Sequence, residues 1–154
     1  MPAMKKRSFE QDYKVHRLIG KDSHAEIFHC VNKATKIDRA VKVYKKADIC
    51  RSEESKIRFM TEIEIHRQLD HPNVIKLLEI YADDQTFYLV EELVMGGELL
   101  NTIVRYRCIQ ERYLARIAMD LLSAIAYCHE RGIIHRNLKP QHVLMEVIDV
   151  KHHH

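Results

Sequence analysis

Strand-like and helix-like segments alternate along this chain in an order that few architectures can satisfy. Tyr13–Gly20 and Ala25–Asn32 read as two strands around a polar turn, and Asp38–Tyr44 as a third, with Ala40, Val41 and Val43 supplying strand residues. The polar stretch Lys45–Ser55 predicts a loop or a short helix. Glu53–Leu69 then has helical spacing, with Ile57, Met60, Ile63 and Leu69 on one side and charges on the other. Ser52 can cap this helix, Glu53 and Glu54 suit the positive end of its dipole, and Asp70-His71-Pro72-Asn73 stops it. Val74–Tyr81 and Thr86–Glu92 predict two more strands joined by a tight turn, Ala82-Asp83-Asp84-Gln85. Gly96-Gly97 breaks the pattern. Glu98–Tyr106 reads as a short helix and Arg112–Arg131 as a long one, with Leu114, Ile117, Leu121, Leu122 and Ile125 at helical intervals and Gly132 at its C-cap. Strands with one helix inserted, followed by helices, predict a small sheet lobe and then a helical lobe.

At 154 residues the chain is long enough for a substantial core. Its net charge of +3 comes from mixed signs, which gives no basis for nucleic-acid binding. The basic run Lys5-Lys6-Arg7 reads as part of a solvated tail. There is no apolar run of bilayer length and no signal-peptide pattern, so no membrane partner is expected. Cys30, Cys50, Cys108 and Cys128 match no zinc or disulfide spacing and read as reduced thiols, which predicts an intracellular, cytoplasmic protein. His152-His153-His154 is either an expression tag or natural sequence.

Four segments in register carry a family resemblance. They are Arg39-Ala40-Val41-Lys42, the helix containing Glu62 that exits through Leu69-Asp70-His71-Pro72-Asn73-Val74, Glu92-Leu93-Val94-Met95-Gly96-Gly97-Glu98-Leu99, and Ile133-Ile134-His135-Arg136-Asn137-Leu138-Lys139-Pro140. Together they resemble the third strand, C-helix, hinge and catalytic loop of eukaryotic Ser/Thr protein kinases, in particular calcium- and calcium/calmodulin-dependent ones. The resemblance implies an α+β fold with a five-stranded antiparallel N-lobe sheet, one C-helix and a partial helical C-lobe. The implied organisation is a flexible tail at 1–12, the N-lobe at 13–93, the partial C-lobe at 94–148 and a second tail at 149–154. It also implies an ATP-type site. Lys42 would reach phosphate oxygens, with Glu62 pairing to it and holding it in place. The Glu92 carbonyl and Val94 amide would bond adenine, and Ile27, Ala40, Leu99 and Leu144 would sandwich the ring. Gly20 would belong to the phosphate loop, Glu98 to the segment after the hinge, and Lys139 would steady the transferring phosphate.

The chain departs from the family pattern at several of these positions. In Gly20-Lys21-Asp22-Ser23-His24-Ala25, Asp22 and Ala25 replace glycines that let backbone amides approach phosphate. A like charge at about 4 Å costs ~1 kcal/mol in water and ~4 near a protein surface, so Asp22 opposes phosphate binding. Asn137 stands where the family has the catalytic Asp, and an amide is no base. His142 stands where an Asn would hold Mg2+, a cation that prefers oxygen ligands. Glu91 occupies the gatekeeper position at the back of the base pocket, where a carboxylate must find a partner. No Asp-Phe-Gly follows, and Asp149 comes too early to replace it.

These departures favour a pseudokinase-like binding or regulatory module that takes ATP but transfers no phosphate, with Mg2+ use impaired. One alternative is a fragment of a longer ATP-dependent Ser/Thr kinase, and another is an interaction protein that binds no nucleotide. The apolar stripe on helix 112–131 predicts a protein partner or self-association.

Overall fold

The computed structural model describes residues 3–134 and 142–146. The element order is α1 (Phe9–Asp12), β1 (Tyr13–Lys21), β2 (Ala25–Asn32), β3 (Asp38–Lys45), α2 (Lys46–Ile49), α3 (Glu53–Gln68), β4 (Leu77–Ala82), β5 (Thr86–Glu91), α4 (Leu99–Tyr106) and α5 (Glu111–Glu130). The chain divides into two compact units, Met1–Asp70 with Ile75–Leu93 and His71–Val74 with Val94–His154. The fold class is α+β.

The first unit carries an antiparallel sheet of five strands in the order β1-β2-β3-β5-β4. Side chains alternate across it, so β4 and β5 each feed two cores. Phe87 and Leu89 of β5 join Ile80 and Leu77 of β4 and Phe59 and Ile63 of α3 in one cluster. Val90 and Val41 point the other way, into a second cluster with Cys30, Tyr13, Tyr81 and Phe9. Full burial of side chains of this size contributes roughly 1.5–3 kcal/mol each. Burial also pushes the Cys30 thiol up to about 12, which leaves it protonated and inert.

Three sequence expectations are corrected here. The stretch 1–12, expected as a flexible tail, contains a helical turn whose Phe9 is only 2% exposed. Phe9 stacks on Tyr13 and Tyr88 with centroids 5.3 and 4.7 Å away and meets the edge of Tyr81. The Lys5 amide donates to the Ile80 carbonyl at 2.9 Å, so the chain runs along the outer edge of β4. The signal is one aromatic residue, too little for a periodicity to register.

The second correction concerns α3, where Phe59 and Ile63 supply the buried positions while Ile57 is 59% exposed. Two residues turn a helix by about 200°, which sets Ile57 opposite Phe59. The third is that β4 begins at Leu77 rather than Val74. The Ile75 carbonyl is taken by the His66 ring and the Val74 amide turns back to His71, so this stretch has no ladder to join.

Ser52 caps α3 as its residue type predicts, with Oγ accepting from the Ser55 amide at 3.1 Å. Replacing Ser52 with Ala should cost about 1 kcal/mol in thermal unfolding, and replacing it with Gly only a few tenths.

In the second unit, α4 and α5 follow the Gly96-Gly97 break, with Gly97 at φ 76°. No residue of α5 is buried, and Leu114, Met119 and Leu122 are exposed. Among the described residues, no helix is long and apolar enough to cross a membrane.

Candidate functional site

Strand alternation fixes the geometry around Lys42. On β3, Lys42 lies opposite Ile27 of β2 and Leu89 of β5, while Ala40 lies opposite His29 and Glu91. Lys42 and Glu91 are therefore diagonal neighbours on one face of the sheet, a spacing that long side chains bridge. Glu91 follows Phe87 and Leu89 at two-residue intervals, so the pleat that buries those two buries the carboxylate as well. It is 4% exposed and is the one charged residue in the buried core among the described residues.

Two groups meet at its Oε1 oxygen. Lys42 Nζ lies 3.4 Å from Glu91 Oε1, and His66 Nδ1 lies 3.9 Å from the same atom. His66 Nε2 sits 2.7 Å from the Ile75 carbonyl oxygen. A carbonyl only accepts, so Nε2 carries the hydrogen, and in the neutral ring Nδ1 presents a lone pair to Glu91. Tyr44, two residues along β3, has its hydroxyl pushed up by burial, with Asp22, Glu91 and Glu62 adding to the shift.

The partner expected for Lys42 is thus corrected. Glu62 is exposed on α3 and forms no ion pair among the described residues, and the carboxylate at Lys42 belongs to Glu91. The sequence marks Glu91 as a carboxylate in need of a partner. The signal that this partner is Lys42 lies in the strand register.

The β1–β2 turn holds a second carboxylate, exposed but tied to the chain's own backbone. Asp22 accepts from the His24 amide at 2.9 Å and from the Ala25 amide at 2.7 Å, while its own amide donates to the Ala25 carbonyl. An oxyanion-binding turn offers just such amides, and here the chain's own carboxylate fills them. Gly20 stands on β1 opposite Ile27. A Cβ there would make ordinary contact with Ile27 at 3.4 Å, so this position does not demand glycine.

Of the residues expected to flank a base, Ala40 is buried and Ile27 half-buried in the first unit. The Glu92 amide donates to the Lys76 carbonyl at 3.1 Å, and its carbonyl belongs to the stretch leaving β5. In the second unit, Glu98, Leu99 and Leu144 are brought together. Glu98 and Leu144 form an antiparallel bridge, the Leu99 amide donates to the Val143 carbonyl at 2.8 Å, and the Met145 amide donates to the Gly97 carbonyl at 2.8 Å. Gly96 is required here, since a Cβ would fall 1.9 Å from the Met145 carbonyl oxygen. Val94 begins this unit's longer segment and is half-buried.

Asn137 and Lys139, with Asp149, lie outside the described residues. His142 is described and exposed. Among the described residues, no three His, Cys, Asp or Glu side chains gather into a cluster that could hold a metal ion.

Comparison with known proteins agrees with this architecture. The protein kinase domain family matches residues 13–151. The chain is 42% identical over 126 residues to calcium-dependent protein kinase 5 of Plasmodium berghei, a match covering 82% of this chain and 22% of that protein. It is 36% identical to calcium-dependent protein kinase 4 of Plasmodium falciparum, over 90% of this chain and 26% of that one. With ribosomal protein S6 kinase alpha-2 of Mus musculus it shares 38% identity, over 88% of this chain and 18% of that one. The chain thus spans about a fifth to a quarter of the length of these relatives. Sheet order, helix placement and the family match over most of its length agree: the chain belongs to the protein kinase domain family.

Proposed function

We propose that this chain is a protein kinase-like module that holds an adenine nucleotide weakly and transfers no phosphate, acting by binding rather than by chemistry. The observation that carries this reading is the pair of carboxylates, both the chain's own, at the two phosphate-gripping elements. Asp22 fills the turn amides and Glu91 holds Lys42. Ala40 and Ile27 keep the apolar character that an adenine ring needs. Asn137 in place of a catalytic Asp removes the general base, a contribution typically worth ~10²–10⁴-fold. His142 in place of Asn weakens Mg2+ use, so nucleotide binding is expected to be metal-independent. The exposed face of α5 supports a protein partner or self-association, and a cytoplasmic location follows from the same reading.

The test is thermal unfolding with ATP or ADP, with and without Mg2+. A ligand that binds only the folded form raises the transition temperature by mass action. A rise of similar size with and without Mg2+ is expected. No rise at millimolar nucleotide would favour an interaction protein without a nucleotide. Phosphoryl transfer abolished by Lys42→Ala would establish a kinase.

A second reading is favoured by the length of the relatives. The chain would then be a piece of a longer ATP-dependent Ser/Thr kinase, with its substrate-selecting surface on a later part of that longer chain.

A further inference from the structure

The family's own arrangement would have the helix carboxylate, Glu62, hold Lys42. In this chain the holding group is on the neighbouring strand, and a third group stands ready to take it over. Glu91 is buried with one oxygen 3.4 Å from Lys42 Nζ and 3.9 Å from His66 Nδ1. The hydrogen bond from His66 Nε2 to the Ile75 carbonyl leaves Nδ1 as the ring atom that faces Glu91, the position from which an imidazolium would donate to the carboxylate. The other titratable and charged groups on the packed elements do not compete for this role. Tyr44 of β3 has its hydroxyl pushed up by burial and stays neutral, Glu62 of α3 and Asp22 of the β1–β2 turn are exposed acids, and β4 places Leu77 opposite Glu91.

We infer that Glu91, with His66 as its alternate partner, is the positioning residue for Lys42 in place of Glu62. With His66 neutral, Glu91 keeps the ammonium against the sheet. With His66 protonated, the carboxylate is satisfied by imidazolium and Lys42 is released toward a nucleotide phosphate. A buried carboxylate left with no cation is costly, so Lys42 leaves only when His66 can replace it. The nucleotide part of this inference rests on the binding role proposed above; the pairing does not.

Two experiments on the whole chain test it. In the first, ATP without metal is titrated calorimetrically at about pH 6 and pH 8. The expected result is affinity about tenfold tighter at the lower pH, within the range usual for coupled sites. Glu91→Gln should bind at pH 8 more tightly than the parent does there, with only the pH dependence that the nucleotide's own titration imposes. His66→Gln should stay weak at both values, and because it shares the nucleotide's own titration it isolates the imidazole. An unchanged pH dependence in His66→Gln, or weaker binding in Glu91→Gln, overturns the inference.

The second experiment needs no nucleotide. Double-mutant cycles in thermal unfolding compare Lys42→Met with Glu91→Gln and with Glu62→Gln. Coupling is expected in the first cycle, larger at pH 8 than at pH 6, and near zero in the second. No coupling between positions 42 and 91, or stronger coupling between 42 and 62, overturns the inference. Coupling as expected, with no ATP binding in any variant, would overturn the proposed nucleotide role and leave the pairing standing.

Discussion

Replacing Phe9 with Ala should lower the unfolding temperature by about 10 °C, the equivalent of about 3 kcal/mol for a chain of this size. The large effect follows from where the ring sits. Phe9 is 2% exposed and lies among Tyr13, Tyr81 and Tyr88, so truncation empties a site lined on several sides. The surrounding rings cannot close the gap freely, because their hydroxyls are tied. The Tyr81 hydroxyl lies 2.9 and 2.7 Å from carboxylate oxygens of Asp12 and Glu79, to which its single hydrogen can be donated, and Tyr88 donates to Asp83 at 3.0 Å. Phe9→Leu should lose less, since it keeps most of the volume. Calorimetry on the three proteins checks the order parent, Leu, Ala. A shift below about 2 °C for Phe9→Ala would mean that the segment before β1 does not contribute to the core.

The second large effect is expected at Glu91. Glu91→Ala strands Lys42 and removes the carboxylate that His66 faces. Breaking a fully buried pair costs about 3–5 kcal/mol, and with the Lys42 side chain 30% exposed a loss of about 2 kcal/mol is expected. The double replacement Lys42→Met with Glu91→Leu should recover most or all of that, because apolar residues of similar volume carry no desolvation cost at this face. Thermal unfolding of the single and double variants reads both values. A double variant less stable than Glu91→Ala would show that the ion pair is needed for the fold itself.

The two effects differ in how readily the sequence reveals them. The sheet and its inserted helix are readable because alternation and helical spacing extend over many residues, and the boundaries of β2 match residue for residue. The start of β4 is not, because a side chain from α3, His66, takes the Ile75 carbonyl that a ladder would have used. Phe9 reads as part of a tail because one buried ring in a twelve-residue segment leaves no period to detect. Ile57 reads as a core residue because an apolar residue at helical spacing from Met60 fits a stripe, and only the packing of Phe59 and Ile63 settles where that stripe is centred.

Sequence alone determined that a lysine stands on β3 amid Ala40, Val41 and Val43, that Asp22 and Ala25 replace loop glycines, and that Glu91 is a carboxylate in need of a partner. It could not determine which carboxylate Lys42 meets. The family resemblance pairs Lys42 with Glu62, but helical spacing fixes only a residue's angle about its own axis and leaves open how the helix is placed against the sheet. The tertiary structure decided it: strand register puts Glu91 diagonally beside Lys42, while Glu62 lies on the exposed part of α3.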